Sequence, residues 1–177
     1  MPVVLLGKTT VSSATASVSF EQIPNLYQYK HLWLLGTSKM AGTGEGRDYG
    51  AFRVNYDSTA VYDRSWMAAY DAASNTSTSV AGETESIAFS AGPNDSLSTP
   101  GTNNVGVVDI RIPAYMGGLQ KAIMNFGGVT FTNSDNGTSF TGNYYDKTFG
   151  APIYSVTYGG QGTNLKDKTT LALFGVY

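Results

Sequence analysis

His31 is the only histidine in the chain, and there is no cysteine. Those two facts remove most reaction chemistry. A serine-type triad needs a base, and only His31 could supply it. It opens the run His31-Leu32-Trp33-Leu34-Leu35, whose alternation continues around it, so it reads as a strand-edge residue. No Gly-x-Ser-x-Gly elbow occurs. One histidine without cysteine leaves no ligand set for a zinc or non-haem iron centre, and no thiol nucleophile or disulfide.

Carboxylates and glycines give little more. Glu83 and Glu85 would share a face if extended, as a glycosidase pair might, but they flank a Ser/Thr-rich stretch rather than a recognisable cleft. Asn133-Ser134-Asp135-Asn136-Gly137 offers oxygen ligands for calcium but lacks the downstream bidentate glutamate, and it reads as a hairpin turn at Asn136-Gly137. Gly7-Lys8-Thr9 resembles the end of a phosphate loop, yet the required earlier glycine is Pro2 and an extended segment follows. Gly42-Thr43-Gly44-Glu45-Gly46 fails the dinucleotide pattern at Arg47. The sequons at Asn75, Asn94 and Asn136 are expected by chance in so Asn/Ser/Thr-rich a chain. The expectation is a non-enzymatic protein with no catalytic residue, metal or cofactor.

Charged residues make up 14% of the 177, against roughly 25% in typical soluble domains. Solubility must rest on Ser, Thr, Asn, Gln and Gly, a neutral surface that is cheap to desolvate. Net charge is −2 without a basic patch, so no nucleic-acid partner is expected. No apolar run approaches the ~20 residues of a spanning helix, so no membrane partner is expected. Met1-Pro2-Val3-Val4-Leu5-Leu6 is too short for a signal peptide and lacks a basic start, which points to synthesis in a cytoplasm.

The elements that must position these residues are strands. Period-2 alternation and β-branched or aromatic enrichment predict strands over 3–6, 15–20, 31–37, 50–57, 66–72, 85–90, 105–112, 123–126, 129–132, 139–146, 153–158 and 170–176. Residues 65–74 also carry a weak helical pattern, with strand preferred. The polar stretches 74–84 and 90–104 read as loops. The sum is all-β: a single-domain antiparallel β-sandwich, jelly-roll-like rather than a closed barrel. Residues 1–11 read as an N-terminal strand or arm, and 12–177 as the sandwich. The last strand should be core, so removing Leu171–Tyr177 should abolish folding. Twelve tyrosines stand out, and the adjacent Tyr144 and Tyr145 must face opposite sides of a strand, making one of them an interface candidate.

The run Ser13-Ala14-Thr15-Ala16-Ser17-Val18-Ser19-Phe20, then Ile23-Pro24, Tyr29 and Leu32-x-Leu34, resembles the opening of a family of bacteriophage virion surface proteins. Phe52-x-Val54-Asn55, Ile110-x-Ile112-Pro113-x-Tyr115 and the closing Leu171-x-Leu173-Phe174-Gly175-Val176 follow in the same order. The resemblance implies a β-sandwich on a phage particle and carries over no catalytic residue. Such proteins occur as tail-fibre domains and as separate particle-surface proteins. A chain opening at Met1 with no shaft segment suggests a free-standing capsid decoration, or cement, protein. It would be a homotrimer on the outer surface of the capsid, bridging major capsid protein subunits. The alternative is a receptor- or glycan-binding domain of a tail fibre or tail tip. On the cement reading, Val3, Val4, Leu5 and Leu6 are the interface candidates, since this apolar run could pair with a neighbouring edge.

Overall fold

Strand formation starts from alternation. Leu32 and Leu34, Ile110 and Ile112, and Leu171 and Leu173 recur at every second position, and all six are buried. Each strand therefore commits one face to a core. A computed structural model describes residues 2–24, 29–41, 50–70, 74–83, 86–88, 105–117, 121–129, 137–145 and 152–177. Among these there is no helix. The strands are β1 (Val3–Thr10), β2 (Ser17–Phe20), β3 (His31–Ser38), β4 (Gly50–Val54), β5 (Tyr62–Tyr70), β6 (Ser74–Glu83), β7 (Ser86–Ala88), β8 (Gly106–Pro113), β9 (Lys121–Val129), β10 (Gly137–Tyr145), β11 (Val156–Gly160) and β12 (Thr170–Val176).

They form two antiparallel sheets. The larger has eight strands in the order β1-β12-β3-β8-β9-β10-β5-β6, and the smaller has four in the order β2-β11-β4-β7. The β5–β6 and β9–β10 hairpins belong wholly to the larger sheet. With these set aside, the chain crosses from one sheet to the other at every step except β4 to β7, which pair within the smaller sheet, and the first strand lies beside the last. That wrap is the jelly roll expected from the pattern. Both sheets keep open edges, so the sandwich does not close into a barrel.

The core lies between the sheets. Leu32, Leu34, Ile110, Ile112, Leu171 and Leu173 from the larger sheet meet Val18, Phe20, Phe52, Val54, Val156 and Tyr158 from the smaller. Tyr158 is fully buried, and its hydroxyl donates to Ser38 Oγ at 3.1 Å, a polar tie between the layers. Tyr62 does the same at the β4–β5 connection. Its buried hydroxyl accepts from the Val54 amide at 3.0 Å and reaches the Asp57 carbonyl at 3.2 Å.

Several expected boundaries move, each for a local reason. The strand over 50–57 stops at Val54 because Asn55 and Tyr56 take positive φ, 53° and 56°. Asn55 is held there by its side chain, whose Oδ1 accepts from the Tyr154 amide at 2.9 Å while Nδ2 donates to the Pro152 carbonyl at 3.0 Å. The helical reading of 65–74 fails, since β5 runs extended through Tyr70. The expected polar loop over 74–84 is instead β6, held by main-chain pairing to β5 although its sequence has no apolar alternation. The strand expected over 123–126 does not stop there but continues through Gly127 and Gly128 to Val129 as β9, while residues 130–132 of the strand expected over 129–132 lie outside the described residues. Gly137 is not a turn residue: it opens β10 opposite Val129. The candidate turns within 42–46, 92–95 and 100–104 lie outside the described residues.

The tightest main-chain approach is where β12 slots between β1 and β3. A Cβ added to Gly36 would collide with the Thr170 carbonyl oxygen, and one added to Gly175 would lie 2.7 Å from the Tyr29 ring. Backbone cannot yield as a side chain can. We expect Gly36→Ala to destabilise the fold by about 3 kcal/mol or more. The check is a urea unfolding midpoint compared with wild type.

Candidate functional site

Alternation also dictates what the outer face of the larger sheet carries, because residues between the core positions must point away from the core. Reading along the register, Leu5, Phe174, Trp33, Arg111 and Met124 stand in one row across β1, β12, β3, β8 and β9. The next row runs Lys8, Ala172, Leu35, Asp109, Phe126 and, across the backbone of β10, Met67 on β5. Leu5 is 53% exposed, Met67 60% and Phe126 39%, while Trp33, Phe174 and Met124 are half-buried. An apolar band therefore crosses the outside of the sheet.

In β9 the usual polarity is inverted. Asn125 faces inward and is 1% exposed, while Met124 and Phe126 face outward. A buried amide beside an exposed phenyl ring is the opposite of what burial alone selects. The outward residues are therefore the informative ones.

The centre of the band is a compact polar network. The Trp33 indole N–H donates to Asp109 Oδ1 at 2.7 Å. Arg111 grips the same carboxylate with two bonds, Nε to Oδ1 and Nη2 to Oδ2, each 3.0 Å. The guanidinium lies 5.3 Å from the Trp33 ring centre and 5.1 Å from that of Phe126. Trp33 in turn leans on Phe174, with ring centres 6.1 Å apart. The hydrogen bond to Asp109 raises the Arg111 pKa above its ordinary value, so the group stays charged. Its charge is nonetheless balanced locally. The network thus presents aromatic and guanidinium surface without a net charge, the composition that favours protein contact.

Beside Trp33, a shallow groove of about 280 Å³ runs between His31, Trp33, Arg111, Pro113, Met124 and Val176. His31 is half-buried at its rim, opposite Val176 and Pro113 in the two neighbouring strands. Its Nδ1 is covered and has no hydrogen-bond partner among the described residues.

The apolar run expected at an interface sits at one border of the band. Val3, Val4 and Leu5 are exposed on β1, the edge strand of the larger sheet. Leu6 is the extra residue of a bulge between Leu5 and Gly7, and it packs against the core. The backbones of Tyr144 and Tyr145 lie in β10, opposite Ala122 and Lys121, but their side chains are outside the described set. Lys8 and Thr9 of the supposed phosphate loop are simply strand residues. Glu83 ends β6, whereas Glu85 is not among the described residues. Among the described residues, no group of three His, Asp or Glu side chains could hold a metal ion.

Trp33, Asp109, Arg111, Phe126 and Met67 are not among the site residues that the sequence alone points to. The signal was available in part: the face of β3 and β8 opposite the leucines and isoleucines holds Trp33, Asp109 and Arg111. Their convergence needed the register. The chain matches no protein-family model, no curated protein and no solved structure.

Asp109→Ala removes the shared acceptor of Trp33 and Arg111. We expect a loss of about 1–2 kcal/mol, because one partner is half-exposed and screened by solvent. Urea unfolding followed by tryptophan fluorescence checks it.

Proposed function

We propose that this chain is a non-enzymatic structural protein of a bacteriophage particle. In this reading it is a capsid decoration protein seated on the outer surface of the shell, where it bridges and stabilises major capsid protein subunits. The observation that carries the reading is the apolar band on the outside of the larger sheet. It is broad, aromatic at its centre, and holds Arg111 paired to Asp109 there, with Lys8 at its β1 border. Covering the centre of this face removes apolar area from water without stranding a charge there, and buried unpaired charge is what most weakens a contact. The sequence resemblance to phage virion surface proteins supports the same reading, as does the rigid jelly-roll frame, an architecture shared with viral capsid and lectin domains. Architecture alone does not assign a role; the band is the observation that supports this one.

A second reading, a receptor- or glycan-binding domain of a tail fibre or tail tip, draws on the groove beside Trp33. A half-buried indole next to histidine and arginine is a stacking platform with hydrogen-bond donors at its border.

Quantitative mass spectrometry of purified particles separates the two. The decoration reading expects copies in the hundreds, spread over the shell. A handful of copies confined to the tail would overturn it in favour of the second reading. Met67→Glu should leave the melting temperature nearly unchanged, since the side chain is 60% exposed and lies outside the core. It should reduce binding of the purified chain to shells lacking it by about tenfold or more, as expected for charge placed in an apolar contact. Unaltered shell occupancy by this variant would remove the band from the interface.

A further inference from the structure

The open edge of β1 has a geometry that selects its own partner. The Pro2 carbonyl accepts from the Tyr177 amide at 3.2 Å, so Pro2 directs its main-chain group at the β12 side. Main-chain groups alternate sides along a strand. Val4 therefore also faces β12, where it pairs with Gly175. Val3 and Leu5 direct their N–H and C=O groups to the other side. Among the described residues no strand lies there, since β1 ends the order of the sheet.

The side chains follow the same rhythm. Val3 and Leu5 stand on the outer face, opposite Val176 and Phe174, and are 46% and 53% exposed. Val4 stands on the inner face and is still 37% exposed. Apolar surface is thus uncovered on both faces of the strand at once. A sheet face awaiting a flat partner would leave one face uncovered. Both faces together are what an absent neighbouring strand would cover.

We infer that β1 pairs antiparallel with β1 of a second copy, about a two-fold axis passing beside Val4. In this register Val3 lies opposite the partner's Leu5, and Leu5 opposite the partner's Val3. These residues carry the outward-directed groups, so the two pairs close four main-chain hydrogen bonds. Val4 lies opposite the partner's Val4 as a non-hydrogen-bonded pair, the type whose side chains approach most closely. Every opposed pair is apolar and shares a face. Lys8 falls outside the paired segment, so no like charges oppose one another. The bulge at Leu6 and the proline at position 2 bound the segment and limit the contact to a short, reversible one. Pairing makes the two larger sheets continuous and carries the outer apolar band across both copies.

The test begins with sedimentation velocity of the full chain across a concentration series reaching high micromolar. A monomer–dimer equilibrium supports the inference. A monomer at all concentrations overturns it, as does a trimer, which would instead fit the three-fold assembly implied by the family resemblance. The register is tested with Val4→Cys, the natural chain having no cysteine. At a non-hydrogen-bonded pair the Cα atoms stand about 4.5 Å apart, within disulfide reach. Mild oxidation should cross-link Val4→Cys readily and Lys8→Cys scarcely at all. Equal cross-linking of the two overturns the register. Val4→Lys places like charges opposite one another and should raise the dimer dissociation constant about tenfold or more, with an unchanged melting temperature. An unchanged dissociation constant overturns the pairing.

Discussion

The governing constraint is a mismatch of width: a sheet of four strands packs against a sheet of eight. Burial of one face by another sheet is complete only where the two overlap. There the inward residues are large and apolar, and Leu32, Leu34, Ile110 and Ile112 are almost wholly buried. From β9 onward the larger sheet extends through two added hairpins, and in β9 the inward positions are mixed, with the apolar Ile123 and the polar Asn125 both buried. Asn125 sits inside and Phe126 outside. The added hairpins double the larger sheet from four strands to eight.

The outer surface combines two properties that usually conflict. Apolar faces are sticky, and charged faces resist dehydration. Asp109 resolves the conflict by accepting from both Trp33 and Arg111, so the guanidinium lies flat across aromatic rings with its charge matched. Arginine suits this position because its planar group can stack and bond in one plane, which a lysine ammonium cannot do.

Much of the frame was legible in the sequence. Alternation in 31–37, 105–112 and 170–176 located β3, β8 and β12, because these strands bury one face only and their side chains record it. The β6 strand was not legible, since Ser, Thr and Asn alternate without polarity and its pairing is made by the main chain. Nor was the end of β4, which is set by left-handed backbone at Asn55 and Tyr56 and by bonds from Asn55 to residues about a hundred positions later. The apolar run at Val3–Leu6 was visible as a candidate contact. The Trp33, Asp109 and Arg111 network was not, because its members come from two strands whose adjacency is a matter of register. Local pattern reports which face a residue takes, whereas only pairing reports its neighbour.

The slot for β12 has a consequence in the order of synthesis. β1 and β3 are made early, yet they are never neighbours; each pairs with β12, which comes from the far end of the described chain. While the chain is still emerging from the ribosome, both strands carry an unfilled hydrogen-bonding edge, with a gap one strand wide between them. Long-range pairing of this kind is slow to form. The nascent protein therefore passes through a stage in which any extended segment at hand, including one from a neighbouring nascent chain, can compete for the place that β12 will take.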